Sequence, residues 1–193
     1  TEQAEVPAVH VGDRWLTGVV DHQDDRLSYR SERVITDAQD GRIVTTVRSL
    51  KSNYVRTVSY DDQWGLLATS QQSGATTLYE PALPYLRFPL HPGKTWQARV
   101  VETGADGAQR VHVVNATVGP WESFTVPAGT FTALKVVISD NVTQNDVLVS
   151  QGQDVSWYAP EVRRSVRTEE TSVDPRTSEK RRRTISLINY TLQ

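Results

Sequence analysis

The sequence predicts an all-β fold: one large, strongly curved antiparallel sheet of about a dozen strands with very little helix. Apolar and polar residues alternate with a period close to two through most of the chain, as in strands with one buried face. Glycine and Asx residues, which favour tight hairpins, separate the alternating segments. No window of about 12 residues has an apolar stripe with helical spacing.

Eleven segments have this strand pattern, and a polar leader (residues 1–13) precedes a further first strand. The segments are 26–35, 42–50, 54–60, 65–71, 75–80, 96–102, 110–118, 131–139, 146–158, 163–173 and 184–192. Because flat sheets of more than about ten strands are unusual, we expect the sheet to curl. An open half-barrel, a closed barrel and a sandwich each satisfy the pattern.

Turn residues mark the hairpins. The segments 38–42 and 104–109 each contain Asp-Gly between two alternating runs, which is typical of a two-residue hairpin loop. Pro127-Ala128-Gly129 predicts a third reversal. Pro127 ends the strand because it has no backbone N–H to donate to a neighbouring strand, and Gly129 adopts a conformation unfavourable for a residue with a Cβ. The charged run 179–184 is interpreted as an exposed edge strand.

A proline-rich segment divides the chain. Pro81, Pro84, Pro89 and Pro92 disfavour both a central strand and a helix interior, so residues 81–92 are predicted to be a connector. The frame His-x-Gly-x-x-Trp occurs on both sides of it, at 10–15 and 91–96. Because an all-β chain of this length often forms one unit, we expect a single β domain over 1–193. The repeated frame suggests a two-part organisation (10–80 and 91–193) as the alternative.

Composition excludes several classes of function. The 193 residues carry a formal charge of −2 and include neither Cys nor Met, which excludes disulfides, thiolate metal sites and Cys nucleophiles. The charge creates no global field for nucleic acid, and no apolar run approaches the ~20 residues of a membrane-spanning helix. We expect no cofactor, no metal, no nucleic-acid partner and no membrane span, and a signal peptide removed ahead of Thr1.

Catalytic signatures are sparse. The four histidines (His10, His22, His91 and His112) have no metal-ligand spacing, and no nucleophile motif or phosphate loop is present. His112 lies on one face of a strand and could act as a base, although no partner is identifiable. A catalytic pair of carboxylates, brought together by strands that are distant in the sequence, stays an open alternative.

Aromatic residues are the best candidates for a binding site. Many lie at strand starts or near turns, where burial in the sheet interior is the default. The alternative is that some line the concave side of the sheet and form an apolar ligand cavity. The candidate ligand-binding residues are Trp64, Tyr79, Trp96, Trp121, Trp157 and Tyr158.

Three motifs carry a resemblance over roughly 88–167. They are Pro-Gly-x-x-Trp in "FPLHPGKTW", Val-Pro-Ala-Gly-Thr-Phe in "TVPAGTFTALKV" and Trp-Tyr-Ala-Pro in "SWYAPEVRRSVR". In this order they resemble a widespread class of uncharacterised bacterial exported β-proteins, although glycine is commoner there in place of Arg163 or Arg164. The class is similar in architecture to the periplasmic lipoprotein-carrier (LolA/LolB-like) fold, which implies a curved sheet with an apolar concavity and a periplasmic or cell-envelope location. That carrier plugs its cavity with helices, and none is predicted here.

Three functions follow as hypotheses. The first is a non-catalytic envelope protein that binds an apolar ligand, either a lipid or a lipoprotein acyl chain, or an envelope partner on the concave face. The second is a structural or assembly module acting through a strand edge or surface contacts. The third is a hydrolase with a carboxylate site.

Overall fold

A computed structural model describes residues 2–193, which form twelve strands and two short 3-10 helices. The 3-10 helices are Asp25–Leu27 and Pro160–Val162. The strands are β1 (Arg14–Asp21), β2 (Tyr29–Gln39), β3 (Arg42–Ser49), β4 (Val55–Asp61), β5 (Leu66–Ser70), β6 (Thr76–Leu83), β7 (Thr95–Thr103), β8 (Gln109–Val126), β9 (Gly129–Gln144), β10 (Val147–Ala159), β11 (Arg164–Asp174) and β12 (Glu179–Thr191).

The strands form one closed antiparallel barrel in which each strand pairs with its neighbours in sequence and β12 pairs with β1. This confirms the all-β prediction and selects the closed barrel among the three arrangements left open. The predicted Asp-Gly hairpins connect β2 to β3 and β7 to β8. Closure satisfies the backbone groups that an open sheet would leave at its edges.

The run 179–184 is an edge only in its first half. All of it lies in β12 and pairs with β11, but the pairing with β1 begins at Arg183, and residues 179–181 are exposed beyond the end of β1. The edge-strand interpretation was wrong for Arg183 and Thr184, because local charge does not reveal that the first and last strands meet. One of these residues, Arg183, instead lines the barrel interior.

The two ends of the barrel differ because alternate connections lie at opposite ends of a meander. At one end lies the connection between β6 and β7. Three of its side chains, Leu86, Phe88 and Leu90, are buried, and Leu90 exchanges backbone hydrogen bonds with Ala4. Trp96 Nε1 donates to the carbonyl of Pro84 at 3.0 Å. An apolar plug from the connection thus closes this end, without helices.

The connector begins three residues later than predicted, since β6 continues through Pro81 to Leu83. Pro81 is accommodated because β6 bulges there: the β5–β6 register jumps from Ala68↔Leu78 to Leu66↔Leu83. Pairing with β7 stops at Glu80, one residue earlier. The missing N–H of proline therefore breaks no ladder.

One hydrophobic core joins the two halves of the chain. Trp15 and Ile35 from the N-terminal segment and Val100 and Leu134 from the C-terminal segment belong to the same buried cluster. Strands from both segments also share the same sheet. The barrel therefore needs both segments to close.

Replacing Gly129 with alanine is expected to lower the free energy of unfolding by about 1–3 kcal/mol. Gly129 opposes Val126 in the β8–β9 hairpin at a φ of +140°, which side chains with a Cβ rarely adopt. The added methyl would make only ordinary contact with the Phe131 ring, at 3.7 Å, so the cost is in the backbone. Urea unfolding measures the effect. Gly119→Ala is the control, since Gly119 lies outside the positive-φ region and its added methyl would approach no atom closer than Lys135 Cβ, at 3.4 Å. An equal loss in both variants would contradict this account.

Candidate functional site

Three adjoining cavities open at the end of the barrel opposite the apolar plug. Their volumes are about 340, 460 and 680 Å³. The 340 Å³ cavity, here called the central cavity, shares Tyr29 and Arg56 with the 460 Å³ cavity and shares Tyr85 and Asp154 with the 680 Å³ cavity. Each volume lies within the roughly 300–1,000 Å³ range of small-molecule sites. The interior can therefore hold a ligand.

Aromatic side chains form the floor of the central cavity next to the plug. The Trp64 ring meets Trp15 and Tyr60 edge to face, with centroids 5.8 and 5.2 Å apart. Trp15 Nε1 donates to the carbonyl of Val162, and Trp64 Nε1 donates to that of Arg163, each at 2.9 Å. These hydrogen bonds satisfy the indole polar groups and hold the rings in place. The Arg164 guanidinium lies over all three rings, 5.4 Å from the centroid of Trp15, 5.9 Å from that of Tyr60 and 4.3 Å from that of Trp64, so the floor is aromatic with a cation above it.

Four arginines line the same cavity, and three of them, Arg33, Arg56 and Arg164, form no ion pair in the part of the chain that the structure describes, whereas Arg183 is paired with Glu170. The Arg164 guanidinium lies 4.3 Å from the centroid of the Trp64 ring, and that of Arg33 lies 5.3 Å from the centroid of Tyr60. Burial lowers the pKa of Arg33 to about 10. Burial also raises the pKa of Tyr60, but the nearby guanidinium charges outweigh it, and that pKa falls overall. This wall of the cavity is strongly cationic.

Carboxylates lie on another wall, towards the 680 Å³ cavity. Glu170 Oε2 accepts from Arg183 Nε at 3.0 Å and from Nη2 at 2.7 Å. Asp154 has no such ion pair; burial, Glu170 and Asp140 raise its pKa to about 7 against the opposing effect of Arg183. The lining thus has a cationic part and a part in which carboxylates and arginines are mixed, and it differs from the apolar concavity that the resemblance implied.

His112 lies between two carboxylates on the inner face of β7–β9. Its Nδ1 is 2.8 Å from Asp140 Oδ2, and its Nε2 is 3.3 Å from Glu102 Oε1. Burial lowers the pKa of His112, but both carboxylates raise it, and it reaches about 9. Since both ring nitrogens are protonated and engaged at neutral pH, His112 has no free lone pair with which to act as a general base.

The contribution of His112 to stability is expected to fall between pH 6.5 and pH 9, by on the order of 3 kcal/mol. Its folded pKa is raised, so the contribution is complete below the unfolded pKa and disappears as pH rises through the folded pKa. Urea unfolding of the wild type and His112→Gln across this range measures it: the difference in free energy of unfolding should shrink as pH rises. A difference independent of pH would contradict the ion-pair geometry.

The structure separates the six sequence-predicted ligand residues. Trp64 lines the central cavity. Tyr79 contacts His112, with ring centroids 6.0 Å apart, and Trp96 and Tyr158 are buried in the core. Trp121 packs against the core, and Trp157 stacks on Phe124 at 4.4 Å, on the face of β10 opposite Asp154. None of these five lines any of the three cavities.

The arginine wall was missed at the sequence level. A signal was present in the segment 54–60, where Arg56 has the same alternation phase as Val58 and Tyr60 and therefore shares their inward face. A charged residue in phase with the buried face of a strand indicates either a buried ion pair or a polar cavity. The partner strand could not be known from local sequence.

Solved structures share this barrel. A Bacteroides fragilis NCTC 9343 protein, described as exported with a YmcC-like fold, has a TM-score of 0.60 at 13% identity, covering 97% of this chain and 99% of its own. A protein described as a lipoprotein from Parabacteroides distasonis ATCC 8503 has a TM-score of 0.54 at 13% identity, covering 99% and 100%. The hypothetical lipoprotein YmcC from Escherichia coli K12 has a TM-score of 0.50 at 10% identity, covering 94% and 90%.

These likenesses define the class as far as the fold: a YmcC-like barrel, found in proteins described as exported or as lipoproteins. That agrees with the resemblance to exported β-proteins, while the likeness to the lipoprotein-carrier fold stays a prediction. No family model matches the sequence, and no curated protein matches it either. Across residues 2–193, no helix is both long and apolar enough to cross a membrane.

Proposed function

We propose that this protein is a non-catalytic, exported protein of the bacterial envelope that binds an apolar ligand, a lipid or a lipoprotein acyl chain, inside its barrel. The observation that carries the proposal is the set of adjoining cavities, open at one end and floored by Trp15, Tyr60 and Trp64 at the other. Burying apolar ligand surface there supplies about 25 cal/mol per Å². The polar wall favours a ligand with a polar end.

Native mass spectrometry of protein purified without detergent from a bacterial envelope fraction tests the proposal. We expect a bound mass that denaturation releases and that organic extraction identifies as a lipid. A fluorescent fatty acid titrated into stripped protein should then bind saturably, with enhanced emission. A clean protein mass together with no saturable binding would contradict the proposal.

A matched pair of variants on β10 locates the binding. Ser156 is buried and lines the central cavity, whereas Gln153 is exposed on the other face of the strand. Ser156→Leu fills the cavity and should weaken fatty acid binding by about tenfold, which corresponds to ~1.4 kcal/mol. Gln153→Leu adds comparable apolar character outside the cavity and should bind as the wild type does. Equal binding by both variants would place the ligand elsewhere.

A hydrolase is the second candidate, favoured by Asp154. Its pKa of about 7 keeps part of its population protonated at neutral pH, as a general acid requires, and a second carboxyl group, that of Glu170, lies opposite it on β11. Asp154→Asn would abolish turnover by such a site but leave ligand binding at the aromatic floor intact. Release of a product from envelope glycans by wild type and not by this variant would favour the enzyme.

The closed barrel limits how the protein could act as an assembly module through a strand edge. Within residues 2–193, every strand has a partner on both sides, the shortest pairing being the three residue pairs between β6 and β7. Strand addition would have to open that pairing. Contacts through the outer surface would leave the barrel closed.

A further inference from the structure

Three guanidinium groups in the central cavity have no counter-charge, and the binding of an apolar chain does not use them. We propose that Arg33, Arg56 and Arg164 form an anion-binding subsite that takes the phosphate group of the ligand. This deepens the proposed function and rests on it, since the phosphate would be the polar end of the molecule held in the barrel.

The register of the sheet brings the arginines together. Arg33 on β2 opposes Val47 on β3, and Val47 opposes Arg56 on β4, so the two arginines lie in one row across three strands. Arg164 comes from β11, and its guanidinium lies 5.9 Å from the centroid of the Tyr60 ring, which Arg33 approaches to 5.3 Å. Tyr60 is therefore the common neighbour of Arg33 and Arg164.

These side chains are not neutralised by the protein. Among residues 2–193, the ion pairs formed by arginine involve Arg14, Arg26, Arg48, Arg163, Arg167, Arg176, Arg181 and Arg183, and none of the three cavity arginines. Arg33 donates one hydrogen bond, from Nη1 to Thr45 Oγ1 at 2.7 Å. None of the N–H groups of these three arginines is both fully buried and without a hydrogen-bond partner. The N–H groups that have no partner are therefore accessible from the cavity.

The carboxylates of the same cavity are directed elsewhere. Glu170 is paired with Arg183, and the charges that act on Asp154 are those of Glu170, Asp140 and Arg183. The groups that act on Arg164 are Tyr60 and Tyr158, with no carboxylate among them. Among residues 2–193, no ion pair therefore joins these carboxylates to Arg33, Arg56 or Arg164.

A phosphate fits this wall better than a single carboxylate. Guanidinium groups bind oxyanions through paired N–H donors, and a phosphate offers more acceptor oxygens and, as a monoester, close to two negative charges. The guanidinium groups of Arg33 and Arg164 lie over aromatic rings, and such cation–π contacts use none of the N–H donors. The volume of about 340 Å³ also leaves room for the glycerol or sugar that carries the phosphate.

Isothermal titration calorimetry tests the subsite with four probes. Inorganic phosphate and glycerol 3-phosphate stand for a soluble source, dihexanoyl phosphatidic acid stands for a lipid headgroup, and hexanoate is the carboxylate comparison. We expect the phosphate probes to bind saturably and hexanoate to bind at least tenfold more weakly than dihexanoyl phosphatidic acid. Tighter binding of the lipid than of glycerol 3-phosphate supports a lipid source, and equal binding supports a soluble one.

A matched variant pair on β2 assigns the binding to the wall. Arg33→Gln should weaken phosphate binding by about tenfold or more, the size of a lost charge-assisted interaction. Arg30→Gln removes the same charge from the exposed outer face of the same strand and should leave binding unchanged. Arg33→Lys keeps the charge but loses the paired donors, and an intermediate affinity is expected.

Two results would overturn the subsite. One is the absence of saturable binding by all three phosphate probes, and the other is equal binding by Arg33→Gln and Arg30→Gln. Fatty acid binding is measured independently of both, so its retention would leave the proposed function standing while the subsite fails. Circular dichroism and thermal melting of each variant confirm that the barrel is folded.

Discussion

Arg33→Met is expected to raise the free energy of unfolding by about 1–4 kcal/mol in phosphate-free buffer. Arg33 holds a charge inside the barrel with no carboxylate partner, and burial opposes that charge. Methionine keeps much of the side-chain volume next to Tyr60 and removes the desolvated guanidinium. The hydrogen bond to Thr45 is lost at small cost, because Thr45 Oγ1 still donates to the carbonyl of Val58 at 3.0 Å.

Urea unfolding in a buffer without multivalent anions measures this effect. Arg30→Met, on the outer face of β2, is the control and should change stability by no more than about 0.5 kcal/mol. Added phosphate should stabilise the wild type in proportion to its binding and leave Arg33→Met unaffected. A destabilised Arg33→Met would instead mean that Arg33 supports the barrel, as a purely structural residue does.

Phe88→Ala is expected to lower the free energy of unfolding by about 3–5 kcal/mol. Phe88 lies in the plug, is 7% exposed and packs edge to face against the fully buried Tyr158, with centroids 5.1 Å apart. Its removal leaves a cavity that the paired strands around it cannot fill. Leu78→Ala, at a site that is 54% exposed on β6, should cost far less.

Chemical denaturation of both variants checks this expectation. If Phe88→Ala and Leu78→Ala were equally stable, the plug would not be part of the cooperative core. A second measurement is the exposure of the aromatic floor: opening the plug should increase the quenching of tryptophan fluorescence by acrylamide in Phe88→Ala at denaturant concentrations where the protein is still folded. That outcome would connect the plug to the integrity of the cavity.

The sequence patterns predicted correctly those features that depend on residues close together in the chain. Strands were predicted from alternation, and hairpins from Asp40-Gly41 and Asp106-Gly107, because side chains two residues apart share a face and glycine supplies the positive φ of a tight turn. Pro81 was misjudged because a bulge in β6 removes the need for its N–H. Bulges depend on the partner strand, which a local pattern does not contain.

The site was less accessible from the sequence for a related reason. Aromatic residues were chosen as candidates because they lie at strand starts or near turns, but that position does not separate Trp64, which lines the cavity, from Trp96, which is buried in the core. The contacts Glu102–His112–Asp140 depend on the register of three consecutive strands, and the contacts Arg33–Tyr60–Arg164 join strands that are far apart in the chain. No residue spacing in the sequence indicates these contacts.

By itself, the sequence determined the all-β class, the number and approximate positions of the strands, and most of the reversals, since these depend on side-chain alternation and turn conformation. Only the tertiary structure decided that the sheet closes, that the segment between β6 and β7 plugs one end, and that three arginines face one cavity without a counter-ion. Closure is set by the pairing of β1 with β12, and the pairing of segments far apart in the chain is a property of the whole barrel.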